Sequence, residues 1–420
     1  MTLARSIALA LTLAMGTVAA AAVLTATTAQ AAEKAEPANK VTTKAVAEPL
    51  KKAQEAMKNK QWDAALTEIK KAQASEKKTP FEAYQIDEFL SYVLIQQKKF
   101  SEATPVFERM LNSGFMPAEQ VDERTKTVAQ LYFQIKDYKK SAEWAKKWLD
   151  KHPGNEEMSV LLGQSYYLLN DYKNAATVML AVANAAEKGG RVPAENGLQI
   201  VLSSYFKLDT KDGIAEALKK LVRYYPKNEY WENLLDIYRR KDSSDRVTLG
   251  FYRLMNDVGT LKQADDYVEM AQLAIDAGVP GEAQAIVEKG VQNGTLKSDD
   301  KTTQGRYDRL LAGAKKSAGT DKPQLPQLAK EAEKATQGQA YVALGQAYLS
   351  YNMFDEAIDA LKKGIAKSGV TDVDEAQISL GIAYLRKGQK DLARQTFKAV
   401  KADSKWHDLA EMWEIRTQQA

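Results

Sequence analysis

The sequence predicts an all-α protein built as an array of antiparallel helix pairs. Three observations predict this fold class. Helix-favouring residues such as Ala, Lys, Leu, Glu and Gln are abundant, whereas Gly and Pro account for only 23 and 11 of the 420 residues. A short stretch occurs three times in nearly the same form. Small residues also recur along most of the chain at the interval expected of one helix pair.

The repeated stretch predicts two helices joined by a turn. Its copies are LGQSYYLLNDYKNAA from Leu162, LGQAYLSYNMFDEAI from Leu344 and LGIAYLRKGQKDLAR from Leu380. Apolar and small residues lie three and four positions apart, the spacing that places them on one face of a helix. In the first copy Asn170 and Asp171 break the helix. Gly163 and Ala175 then allow the two backbones to approach closely, and Met179 fills the space beside them.

This pattern resembles the tetratricopeptide repeat family, whose repeats carry W-x2-L-G-x2-Y, A-x3-F and a closing Pro. WENLLDIY supplies Trp231, Leu234 and Tyr238 at the family spacing. YKKSAEWAKKWLDKHPGN places Ser141 at the Ala position and Pro153 at the closing Pro. The chain is similar in particular to members that proteobacteria export. The resemblance implies a right-handed α-solenoid in which the first helices of the repeats line a concave surface where partners bind.

One small position in each second helix serves as a ruler for the array. It falls at Ala65, Ala103, Ser141, Ala175, Ile214, Val247, Ala283, Ala357 and Ala393. The spacing stays near the family's repeat length except between Ala283 and Ala357, where it is doubled. We therefore predict a repeat array over residues 46–404 with about ten repeats, one of them degenerate near residues 302–335. The Pro-containing stretch around Pro323 is predicted to be a loop between its two helices.

Both ends of the chain differ from the array. Residues 1–31 are typical of a secretory signal peptide, with Arg5 before an uncharged run and a cleavage site at Ala29-Gln30-Ala31. An uncleaved membrane anchor is the alternative, because the run is long enough to span a bilayer. We expect a periplasmic or otherwise exported protein, with residues 32–45 as a disordered tether and no membrane span after cleavage. Residues 405–420 are predicted to form a capping helix with one polar side.

The composition argues against several functional classes. A net charge of +4 with both signs interspersed gives no basic stripe for nucleic acid. The two histidines, His152 and His407, lie far apart, and no phosphate loop, nucleophile elbow or zinc motif is present. DVDE at Asp372 is interpreted as a helix N-cap rather than a calcium loop. We expect no enzymatic activity, no cofactor and no metal site.

The predicted groove combines amides with aromatic rings. Glutamine is the most frequent residue directly after the small residue of each first helix, and an amide both donates to and accepts from a peptide main chain. Aromatic residues follow three positions later in three successive repeats. The candidate partner-binding residues are Gln130, Phe133, Gln164, Tyr167, Phe206 and Arg239. The alternative is that the aromatic position packs against the adjacent repeat.

These observations predict a protein-interaction scaffold in the bacterial cell envelope. Its partner would be a component of an envelope complex that places a peptide or a helix in the concave groove. The alternative function is a regulatory protein that binds envelope glycans or lipids, with the aromatic face stacking on sugars or holding acyl chains.

Overall fold

The computed structural model describes residues 40–239 and 244–419. The predicted signal peptide and residues 32–39 of the predicted tether lie outside these described residues. Within them the chain is helical and contains no β-strand, which confirms the all-α fold class. The described residues divide into two compact units, unit 1 up to Lys211 and unit 2 from Asp212 onward, and each is described by itself.

Unit 1 is a stack of antiparallel helix pairs in which each helix packs against the next. The odd-numbered helices are the first helices of the pairs, and α7 contacts both α5 and α9. The helices described in unit 1 are α1 (Lys44–Lys58), α2 (Trp62–Gln73), α3 (Pro80–Gln96), α4 (Phe100–Asn112), α5 (Ala118–Gln134), α6 (Tyr138–Leu149), α7 (Glu156–Leu168), α8 (Tyr172–Lys188) and α9 (Glu195–Lys207).

Unit 2 continues the same kind of pairing, and α10 begins at its boundary. The helices described there are α10 (Lys211–Tyr224), α11 (Asn228–Arg239), α12 (Asp245–Val258), α13 (Ala264–Asp276), α14 (Pro280–Gln292), α15 (Lys301–Asp321), α16 (Leu325–Lys334), α17 (Gln339–Ser350), α18 (Phe354–Ala366), α19 (Val373–Arg386), α20 (Lys390–Lys398) and α21 (His407–Thr417). The pairs that pack closely are α13 with α14, α17 with α18 and α19 with α20.

Small residues set the distance between the helices of a pair. Every position of the predicted ruler is buried. On the facing helix a Cβ added at Gly163 would lie 2.5 Å from the sulfur of Met179, and one added at Gly381 would lie 2.4 Å from the ring of Phe397. The predicted close approach, with Met179 beside Gly163, is therefore present, and the helices are too close there for a larger side chain.

We predict opposite effects for two Gly→Ala substitutions inside helices. Gly381→Ala should lower the free energy of unfolding by about 1–3 kcal/mol, because overpacking against a buried ring exceeds the gain in helix propensity. Gly313→Ala is the matched control: nothing lies within 4 Å of its Cβ position in α15, so it should stabilise by about 0.5–1 kcal/mol. Urea unfolding of the full chain measures both. Equal effects at the two sites would contradict the close-approach explanation.

In unit 1 a left-handed residue closes the turn inside each helix pair. These residues have φ between 52° and 65° and are Lys60, Lys98, Lys136, Asn170 and Asp209. After Lys136, for example, the N–H of Asp137 donates to the C=O of Tyr132 at 2.9 Å, and Lys136 itself donates to Phe133 at 3.0 Å. This pair of hydrogen bonds is a Schellman motif, which satisfies carbonyls at the helix end and reverses the chain. The second helix therefore starts at a fixed position relative to the first.

Glu82 holds the N-termini of two helices. Its Oε1 accepts hydrogen bonds from the N–H groups of Thr42 and Thr43 at 2.9 and 2.8 Å, ahead of α1. Its Oε2 accepts from the N–H of Thr79 at 2.8 Å, ahead of α3, where Thr79 and Glu82 form a capping box. Burial alone would raise the pKa of Glu82, but the backbone N–H groups of Thr43 and Thr79 lower it from 4.5 to about 2. The first helix pair is thus fixed to the second by one carboxylate.

This arrangement predicts an acid-sensitive contact. Because the folded pKa lies below the ordinary value, the stabilisation is present above about pH 4.5 and is lost as the pH falls toward 2. Glu82→Gln should cost roughly 2 kcal/mol of unfolding free energy at neutral pH, since an amide replaces one acceptor oxygen by a donor that faces an N–H group. Urea unfolding at several pH values measures this. The variant should show a weaker loss of stability between pH 4.5 and 3 than the parent, and an identical pH profile would refute the assignment.

The region of the predicted degenerate repeat contains α15 and α16, but the loop predicted around Pro323 is absent. The backbone stays right-handed helical through one 3₁₀ turn, Lys322–Gln324, so that the two helices run on end to end. Pro323 and Pro326 each occupy the first turn of the following helical segment. Because a first-turn residue needs no partner for its N–H, proline is tolerated there. The loop prediction was therefore wrong.

The C-terminal helix α21 closes unit 2. It packs on α20, where a capping helix was predicted, and it also contacts α12 and α19. Most of its residues are buried, including Leu409, Met412, Trp413 and Ile415, so it lacks the exposed polar side that a cap was expected to have. A Cβ at Gly250 of α12 would lie 2.4 Å from the side chain of Leu409. Helices that are far apart in sequence thus meet around α21.

Candidate partner-binding site

Five of the six predicted binding residues lie on the first helices α5, α7 and α9 of unit 1. Gln130 and Gln164 occupy the same position on α5 and α7, and Ser203 occupies it on α9. Phe133, Tyr167 and Phe206 follow three residues later, and the six side chains are all half-buried. We call this set the amide–aromatic row: Gln130, Phe133, Gln164, Tyr167, Ser203 and Phe206.

Side-chain hydrogen bonds join the row across neighbouring repeats. The Gln130 amide donates to Oε1 of Glu157 on α7 at 2.8 Å. The Tyr167 hydroxyl and the Ser203 hydroxyl are 2.7 Å apart, which links α7 to α9. The row is therefore one continuous set of side chains across the three adjacent first helices α5, α7 and α9.

The aromatic rings rest on the start of the following helix. Phe133 contacts Tyr138 edge to face at 5.4 Å between ring centroids, and Tyr167 contacts Tyr172 in the same way at 5.6 Å. The expectation that this position packs against the adjacent repeat holds for Tyr167, through its hydroxyl, whereas Phe133 stacks within its own repeat. These contacts fix the rings while leaving part of each exposed.

Tyr138 and Tyr172 were not predicted as neighbours of the row, although the sequence carries a signal for them. An aromatic residue stands five positions after the row's aromatic position in several repeats. The pairs are Met57 with Trp62, Ile95 with Phe100, Phe133 with Tyr138, Tyr167 with Tyr172, and Leu349 with Phe354. Because the left-handed turn has a constant length, this spacing always brings the two side chains together.

Gln164 is the polar group of the row that remains available. It lies in the middle of the row, between Gln130 and Ser203, and is half-buried. Its amide has no hydrogen-bond partner within the residues that the structure describes. A half-buried amide favours partners for its N–H and C=O groups, so this position suits the main chain of a bound peptide.

The sixth predicted residue, Arg239, lies in unit 2 and is engaged in internal ion pairs. Its Nη1 donates to the Tyr252 hydroxyl at 3.2 Å and to Asp266 at 3.1 Å, and its Nη2 donates to Asp236 at 3.4 Å. Burial raises the pKa of Asp266, and the adjacent Arg239 opposes that rise. Arg239 therefore serves contacts within unit 2.

Residues at the equivalent repeat positions elsewhere in unit 2 also contact neighbours within that unit or are buried in it. The Gln346 amide donates to Glu375 and to Ser379, each at 3.3 Å. Ile382 and Leu385 are buried. Unit 1 therefore retains the free amide and the half-exposed rings, whereas unit 2 uses the corresponding side chains in its own packing.

Comparison with known proteins supports the repeat family for part of the chain. The tetratricopeptide repeat family model matches residues 336–405, which contain α17 to α20. No curated protein matches the sequence. Tetratricopeptide repeats generally mediate protein–protein interactions.

Several solved structures are similar to the chain at low identity. A tetratricopeptide repeat protein from Parabacteroides merdae is 15% identical, with 65% of this chain and 99% of that chain covered and a TM-score of 0.30. MamA from Desulfovibrio magneticus is 16% identical, with coverages of 48% and 100% and a TM-score of 0.28. The TPR2AB domain of yeast Sti1, in complex with an HSP90 peptide, is 13% identical, with coverages of 72% and 98% and a TM-score of 0.24.

Proposed function

We propose that this protein is a non-enzymatic interaction scaffold of the bacterial cell envelope that binds an extended peptide or a helix of a protein partner along the amide–aromatic row. The observation that carries the proposal is the unpartnered Gln164 amide between half-exposed rings on three adjacent helices. Amides that pair with a main chain, flanked by aromatic anchors, are a common arrangement for peptide recognition.

The cell-envelope setting rests on the sequence of residues 1–31, which is typical of a secretory signal. Across residues 40–239 and 244–419, no helix combines the length and the apolar character needed to cross a membrane. A protein partner is supported by the general role of tetratricopeptide repeats and by the position of the row on first helices.

We predict that Gln164→Ala separates binding from folding. The substitution removes no intramolecular hydrogen bond, so the free energy of unfolding should change by less than about 0.5 kcal/mol. Binding of the partner should weaken by roughly tenfold, because the partner's main-chain groups lose their amide. Lys173→Ala, on the exposed side of the second helix α8, is the comparison and should leave binding within about twofold.

The partner can be trapped by placing a photo-cross-linking amino acid at Gln164 in living cells, with Lys173 as the matched control. Lys173 is exposed on the second helix α8. We expect one discrete protein adduct at Gln164 that is absent at Lys173 and is reduced by Phe133→Ala. Equal adducts at the two positions, or none at Gln164 in a folded and exported protein, would overturn the assignment of the row.

A further inference from the structure

A cavity is lined by residues of unit 2 alone. It has a volume of about 380 Å³ and is bounded by α12, α13, α14, α17, α18, α19 and α21. This volume lies within the range of small-molecule sites in proteins. Because Trp413 of α21 forms part of the lining, the cavity depends on the docking of α21 against the other helices of unit 2.

The polar side of the cavity is rich in hydrogen-bond donors. Three cations line it, Arg253, Lys289 and Arg386, against a single carboxylate, Glu282. Arg253 donates to both oxygens of Glu282, at 2.9 and 2.7 Å, so that this carboxylate is already satisfied. The charged residues of the cavity lining are therefore positive in excess.

Each of the cations keeps unused donors. Lys289 donates to Asn256 at 2.5 Å, which leaves two of its three N–H bonds without a partner in the described residues. Arg386 pairs through Nη1 with Asp257 at 2.8 Å, and Arg253 uses only Nε and Nη2. Lys289 and Arg386 are exposed, so a ligand that supplies acceptor oxygens would replace water on these groups without displacing an existing ion pair.

Trp413 provides an independent observation. Its side chain is fully buried and lines the cavity, and its indole N–H has no hydrogen-bond partner within the part of the chain that the structure describes. The ring stacks on Phe397 at 6.0 Å between centroids, which holds it in place. A buried N–H without a partner is unfavourable, so the wall that Trp413 forms contains an unsatisfied donor.

The rest of the wall is mixed. Five apolar side chains, Met270, Ile286, Leu349, Phe354 and Ile382, line it beside the polar Gln346, Ser350, Asn352 and Ser379. We propose that the cavity binds a small amphiphilic anion, with a carboxylate or phosphate group among the three cations and an apolar portion against the apolar side chains. This site is separate from the amide–aromatic row, and the two proposals can fail independently.

Calorimetric titration of the full-length protein with three octyl-type ligands tests whether the cavity requires an anionic ligand. The probes are octyl phosphate, octanoate and, as the neutral control, octyl glucoside. We expect saturable one-site binding of at least one of the two anions and at least tenfold weaker binding of the glucoside. Binding of only one anion assigns the head group. Failure of both anions, or equal binding of the glucoside, would overturn the proposal.

Two pairs of variants locate the binding site. Lys289→Gln should weaken anion binding about tenfold by removing a charged donor, whereas Lys315→Gln, whose side chain pairs with Glu288 outside the cavity lining, should change it less than about twofold. Trp413→Phe should also weaken binding, whereas Trp406→Phe should not, because the Trp406 indole already donates to Asp372 at 2.9 Å. Thermal melting confirms that each variant is folded. Equal affinities within both pairs would place the anion elsewhere and refute the site.

Discussion

In several repeats a glycine on the first helix lets the backbones of the two helices approach closely, and the register of the structure depends on this packing. Gly163 lies against Met179, and Gly381 lies against Phe397, at distances that leave no room for another Cβ. The left-handed turn after the first helix then fixes where the second helix begins. Because both constraints recur with the repeat, residues of equal register come onto the same side of successive first helices. The amide–aromatic row is a direct result of that geometry.

The local part of this arrangement could be predicted from the sequence, because it depends on spacing alone. Three- and four-residue periodicity predicted the helix pairs, and the ruler positions are buried throughout. Asp372 was interpreted as a helix N-cap, and its side chain accepts from the N–H of Glu375 at 3.0 Å, which confirms that interpretation. The row was chosen for the same reason, because Gln130, Gln164 and the three rings share one register, and its role in binding stays a prediction.

The parts that could not be predicted depend on neighbours that are distant in sequence. Arg239 has the register of a groove residue, but Asp266 and Tyr252 are close enough in space to bind its guanidinium. The continuous passage from α15 to α16 depends on where in a helical turn each proline falls, and composition alone does not reveal this. The C-terminal helix has charged residues that were expected to face water. Instead, Glu411 pairs with Lys219 at 2.5 Å and Arg416 with Asp257 at 2.7 Å, across long stretches of chain.

These ion pairs specify how α21 docks more than they drive its docking. Asp257 is only 5% exposed and is held by both Arg386 and Arg416, and transferring such charges from water offsets most of the attraction between them. The burial of Leu409, Trp413 and Ile415 supplies the favourable free energy, on the order of 2 kcal/mol for each large apolar side chain. Apolar burial alone is compatible with several rotations of α21 about its own axis. The placement of Glu411 and Arg416 opposite Lys219 and Asp257 selects one of them, and that rotation is the one that places Trp413 in the wall of the cavity.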